Sequence, residues 1–261
     1  MKVLKDKRRF RTRAVFLAVV WILLLLLSLS LLSVLSSSFL HNPQGENISS
    51  LSWAGYIISR TTDAQAGVTA INASWAVPVV NASAGNSYSS VWVGIGGELD
   101  QTLIQVGTEN AVSSGQATYY AWYELLPNFA VVINTLTVSS GDVMVASITL
   151  LNSATNQWNI HISDTTTGQD FSLNVSYNST RSSGEWVLER PTMNNKLTTL
   201  ADFGSVTFAD CYLNANNISG AISRFYYLRL EMTNDLNNPL TSVSNLAANG
   251  TSFTVSYVPT H

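Results

Sequence analysis

From Ser52 onward apolar residues recur at every second position, not every third or fourth. A period of two belongs to a β-strand with one face buried. The pattern predicts short strands at residues 68–80, 89–95, 101–106, 117–125, 131–138 and 143–150, then at 170–177, 184–189, 205–212, 225–232 and 252–258. Two connections, Ser139-Ser140-Gly141-Asp142 and Thr165-Thr166-Thr167-Gly168, supply glycine where a tight turn needs positive φ and are read as hairpins. Many closely spaced strands with almost no helical segment imply an all-β antiparallel sandwich or barrel. No internal repeat and no second domain interrupts the pattern.

The N-terminal part follows different rules. Lys2, Lys5, Lys7, Arg8, Arg9, Arg11 and Arg13 crowd the first positions, and no Lys, Arg, Asp or Glu follows until Glu46. A basic segment, 1–13, ahead of an apolar block, 14–36, is a secretory signal or a signal-anchor. The block exceeds the roughly 7–15 residues of a signal core and fits the roughly 20 of a spanning helix. Ser28, Ser30, Ser33 and the Ser36-Ser37-Ser38 run dilute its second half, and a cleavage site near Ser38 is the alternative. The favoured reading is an uncleaved N-terminal apolar helix in the membrane, a polar linker at 37–51, and an extracellular domain beyond; cleavage would make the domain secreted.

Beyond residue 36 six basic side chains face fifteen acidic ones, a net charge of −9. Nucleic-acid binding is excluded, because phosphates demand clustered Lys and Arg. Charges of either sign are sparse, so protonating the carboxylates would leave little self-repulsion, which suits acid surroundings. Cys211 stands alone, which rules out an intrachain disulfide and reads as a small buried apolar residue. His41, His161 and His261 include no pair at ligand spacing, so no metal is expected, and a Ser-His-Asp triad has almost no material. The sequons at Asn47, Asn72, Asn81, Asn174, Asn178, Asn217 and Asn249 would carry glycans only at the surface.

Carboxylates and amides remain as candidates. Glu185 and Glu189, in Gly-Glu-Trp-Val-Leu-Glu-Arg-Pro, share one face of a strand, roughly 13 Å apart at strand rise. That is too far for a glycosidase pair; each reads as a solvated strand residue or, beside Trp186, as a working acid or base. Gln105, among apolar neighbours, reads from its own window as a polar residue pointing outward. In Tyr119-Tyr120-Ala121-Trp122-Tyr123-Glu124, alternation puts Tyr120, Trp122 and Glu124 on one face. Such a strand is either core or the floor of a groove for an extended chain.

Several segments together resemble the eqolisins, the glutamic peptidases. In the family's order these are Ser52-Trp53-Ala54-Gly55, Ser74-Trp75-Ala76-Val77-Pro78, Trp92-Val93-Gly94-Ile95, Leu103-Ile104-Gln105-Val106-Gly107, Ala121-Trp122-Tyr123-Glu124 with Pro127, Ser140-Gly141-Asp142, Thr166-Thr167-Gly168-Gln169, Glu185-Trp186-Val187-Leu188-Glu189 and Ala201-Asp202-Phe203-Gly204-Ser205-Val206-Thr207-Phe208. The resemblance implies a two-sheet antiparallel β-sandwich of the lectin-like jelly-roll type over residues 52–261. It implies an acid endopeptidase acting on protein or peptide substrates, without cofactor or metal; a monomer is the expectation, which the sequence itself does not decide. Gln105 and Glu189 match the catalytic pair, expected on neighbouring strands of one sheet with side chains in a shared groove. Glu185 matches a non-catalytic Glu. Trp92, Trp122 and Glu124 are candidates for lining the substrate groove.

The sequence departs from the fungal pattern in lacking the loop cysteines, in Gly96 and Glu109 where the pattern has Asp, and in a shorter loop before Gln105. The Gly96 and Glu109 changes bear on substrate preference, not on the pair. Only a short stretch separates the apolar block from Trp53, so a fungal-type pro-segment is expected to be absent or very short. The rival reading is a non-catalytic, lectin-like carbohydrate-binding or cell-surface module, which would tolerate loss of Gln105 and Glu189.

Overall fold

The computed structural model describes residues 45–59, 67–98 and 100–259. The basic segment, the apolar block and the anchor read from them lie outside the described residues. Among the described residues no helix is long and apolar enough to cross a membrane, and the helices are single 3-10 turns at Ala82–Ala84 and Ile222–Arg224.

Strands account for most of the rest, as alternation requires. In chain order they are β1 (Glu46–Ser50), β2 (Trp53–Ile58), β3 (Val68–Ala76), β4 (Ser87–Ile95), β5 (Ile104–Ser113), β6 (Gln116–Leu125), β7 (Val131–Thr137), β8 (Val143–Asn152) and β9 (Gln157–Asp164). Then follow β10 (Gln169–Ser176), β11 (Gly184–Glu189), β12 (Thr192–Met193), β13 (Lys196–Leu197), β14 (Ser205–Ala215), β15 (Ile218–Ala221), β16 (Leu228–Met232), β17 (Thr241–Val243) and β18 (Phe253–Tyr257). The first sheet runs β1-β16-β2-β11-β4-β5-β6-β7. The second runs β10-β9-β8-β3-β14-β18-β17, with β15 on β14, and β12 and β13 form a separate hairpin.

The inner faces of the two sheets share one core, in which Trp75, Trp158, Trp186, Phe203 and Phe208 are fully buried. Each such side chain contributes roughly 1.5–3 kcal/mol of transfer free energy. Phe208 stacks on Phe253 at 4.9 Å, tying β14 to β18. Cys211 is buried in this core.

Several local readings change. Glu46–Ser50, read as linker, form β1, which pairs parallel with β16 at the sheet's edge. Gly141 occupies positive φ, at 92°, but its turn joins β7 of one sheet to β8 of the other and is not a hairpin. The Gly168 turn does close a hairpin, β9–β10. Strands β2 and β9 were not foreseen. Of the sequon asparagines, Asn72 is half-buried with Nδ2 donating to the Asp210 carbonyl at 2.7 Å; the others are exposed.

Candidate active site

In the first sheet, β4, β5 and β11 are buried at almost every position on both faces. Their inward residues belong to the core, so something on the outer face must exclude water from the others. Strand register arranges that face in three rows across β2, β11, β4, β5 and β6. The first is Trp53, Glu189, Ser90, Glu109 and Tyr120; the second Gly55, Val187, Trp92, Gly107 and Trp122; the third Ile57, Glu185, Gly94, Gln105 and Glu124. Trp92, Trp122, Val187 and Leu103 pack into a second, smaller apolar cluster, flanked by Trp53 and Leu126. This is an aromatic floor set among carboxylates. Gly107 permits it, because a Cβ there would collide with Trp92 Cβ and the Val91 carbonyl oxygen.

Glu189 closes β11 and is half-buried. Trp92 Nε1 donates to its Oε2 at 2.8 Å, and the Trp53 indole opposes that carboxyl across β2 and β11. Trp53 and Trp92 meet edge to face at 5.2 Å. Burial pushes the Glu189 pKa up to about 7; the two indoles work against that rise, and Glu124's charge adds to it.

Gln105 points outward, as its window suggested, but is 4% exposed and not solvated. Its Nε2 donates to Glu124 Oε2 at 2.5 Å. Its Oε1 is buried without a hydrogen-bond partner, as is Trp122 Nε1. Buried polar atoms of this kind call for a partner, and both lie on this outer face. Gln105 and Glu189 share one sheet and one face, but β4 lies between their strands, so they are not on neighbouring strands. The Glu124 carboxyl is raised by burial and lowered by its bond to Gln105.

Two further carboxyls differ from expectation. Glu185 is fully buried, not a solvated strand residue, and neither oxygen has a hydrogen-bond partner. Space over Gly94 is shared by its Oε2, the Trp92 ring and Leu103. Burial raises its pKa well above the usual carboxylate range. Glu109 accepts a hydrogen bond from the Ser90 hydroxyl and is pushed up to about 8, chiefly by burial. Among the described residues no cluster of His, Cys, Asp and Glu could hold a metal ion.

The profile of the Peptidase A4 family matches residues 51–257. The chain belongs to this family, the eqolisins. Aspergillopepsin-2 of Aspergillus niger is 29% identical over 175 residues, 65% of this chain and 59% of that protein. Scytalidopepsin B of Scytalidium lignicola is 28% identical over 193 residues, 69% of this chain and 70% of that protein. The crystal structure of aspergilloglutamic peptidase from Aspergillus niger superposes with a TM-score of 0.59 at 28% identity, covering 66% of this chain and 99% of that one. Scytalido-glutamic peptidase with a transition state analog inhibitor superposes with a TM-score of 0.67 at 24% identity, over 79% and 98% of the two chains. The eqolisin sandwich is thus the fold of this chain.

The structure gathers Gln105, Glu189, Trp92, Trp122 and Glu124 on one eqolisin sheet face. Sequence reasoning missed Trp53 and Ser90 as site residues. Trp53 carried one signal, an indole opening the Trp-Ala-Gly segment; Ser90 carried none, since only register sets it between Glu189 and Glu109.

Proposed function

We propose that the chain is an endopeptidase that hydrolyses protein or peptide substrates by a Glu189–Gln105 pair. Glu189 as carboxylate takes a proton from a water, which attacks the scissile carbonyl; Gln105 positions that water and donates to the oxyanion as it forms. Protonated Glu189 then passes its proton to the leaving amine. The observation that supports this most is Glu189 itself: a half-buried carboxyl held by the Trp92 indole, beside an aromatic cluster on the sheet face that also holds the Gln105 amide. An unperturbed glutamate would place the optimum near pH ~4. Burial raises the carboxyl, so the range in which both of its forms are populated moves up from there towards neutrality.

The test is incubation of the purified full chain with a denatured protein from acid to neutral pH. Expected is cleavage that peaks below neutrality and is insensitive to chelators and to serine- or cysteine-directed reagents. No cleavage anywhere in that range would favour the lectin-like module instead. The same reading puts the domain outside the cytoplasm, anchored by residues 14–36 or released by their cleavage. Protease treatment of intact cells should free a fragment starting near Trp53 in the anchored case; a mature chain already starting near Ser38 would show cleavage.

A further inference from the structure

We propose that Glu124 is a positioning residue for Gln105, holding one N–H of its amide so that the other faces the oxyanion site. This rests on the reading of Gln105 and Glu189 as the reacting pair. Gln105 and Glu124 are register partners on β5 and β6 with side chains on the same outer face. The Nε2 to Oε2 contact of 2.5 Å joins them directly. A side-chain amide can turn over and exchange donor for acceptor, whereas an ionised carboxylate only accepts. With Glu124 ionised, only the orientation with Nε2 towards β6 is satisfied, and one N–H remains free.

Glu124 is itself held. The Tyr177 hydroxyl donates to the Leu126 carbonyl at 2.8 Å, bracing the turn between β6 and β7 that follows Glu124. Protonated Glu124 could instead donate to Gln105 Oε1, the atom now buried without a partner, and so favour the reversed amide. The amide's orientation therefore follows the ionisation of Glu124. The titratable groups that feel this charge are Glu189 on β11 and Tyr177 beyond β10, both raised by it. Glu124 thus acts through Gln105, in place of the substrate contact read from the sequence.

The test compares wild type, Glu124→Gln and Glu124→Asp as full chains, by kcat and KM across pH and by 15N-edited NMR of the side-chain amides. The Gln105 pair is assigned by its loss in Gln105→Glu. Expected in wild type is one downfield Gln105 amide proton that titrates with Glu124. Glu124→Gln should abolish that titration and lower kcat by up to about 100-fold, the scale of a misplaced catalytic group, with KM nearly unchanged; Glu124→Asp should restore part of both. A raised KM at unchanged kcat would make Glu124 a substrate contact and overturn the proposal, as would a titrating Gln105 signal that persists in Glu124→Gln. The NMR arm needs no turnover: a titrating Gln105 pair in a wild type that cleaves nothing would sink the peptidase reading, and the oxyanion role with it, while leaving the pairing itself established.

Discussion

The outward faces of the two sheets are built from the same alternation and have opposite character. On the second sheet, β9 and β10 point short polar side chains at solvent. Asn159 Nδ2 there donates to Ser172 Oγ at 2.9 Å and to Asn174 Oδ1 at 2.8 Å. On the first sheet the outward residues of β4, β5 and β11 include Trp92, three carboxyls and the Gln105 amide, with little water access. Hydrated polar ladders cost little to keep or to lose, whereas buried carboxyls must have pKa shifts, partners or both. Among the described residues, the carboxyls raised by burial, Glu109, Glu124, Glu185 and Glu189, all lie on the first outer face.

The largest expected effect that would break this contrast is on turnover. Glu189→Gln removes the base and keeps the strand; kcat should fall by about 10²–10⁴-fold with the thermal midpoint nearly unchanged, and full activity would sink the assignment. Gln105→Ala removes one oxyanion donor and should lower kcat by about 10²–10³-fold, measured on the same peptide.

Stability against pH comes next. Burial pushes the Glu109 pKa in the folded chain up to about 8, from an ordinary value of 4.5. Its neutral form therefore contributes stability that is complete below pH ~4.5 and is lost as pH rises through about 8, on the order of 5 kcal/mol at the end of that window. Glu185 is raised in the same sense. Melting curves of the wild type should fall across this window, and Glu109→Gln or Glu185→Gln should flatten them; curves as steep as wild type in both variants would count against buried neutral carboxyls. A smaller effect is expected from Trp92→Phe, which keeps the ring and deletes the N–H that favours ionised Glu189. The acid limb of kcat/KM should move up by roughly one pH unit; an unmoved limb would separate Glu189 from that limb. Smallest of all, Asn159→Ala on the opposite face should stay within about 0.5 kcal/mol in denaturant melts and leave kcat/KM unchanged. A large loss there would blur the contrast between the two faces.

The sequence by itself determined much of the strand content, though not β1, β2 or β9, and which residues of a foreseen strand share a side. Period two assigned Tyr120, Trp122 and Glu124 to one face, and Glu185 and Glu189 to one face, and register agrees. The 184–189 strand matches β11 residue for residue. The eqolisin segments carried the family. Alternation does not say whether an outward face meets solvent, because that depends on residues remote in sequence. Glu185 read as solvated since nothing near it in the chain reveals that Leu103 and Trp92 close over Gly94 beside it. Gln105 read as an ordinary polar residue for the same reason; its partner Glu124 comes from the next strand, and Glu189 is two strands away across β4. Strand β5 begins later than expected, since Thr102 is engaged by the Asp100 carboxylate and not by a ladder. Local pattern sets which way a side chain points, while the register of strands far apart in the chain decides what it meets, and only the second makes a carboxyl neutral or an amide oriented.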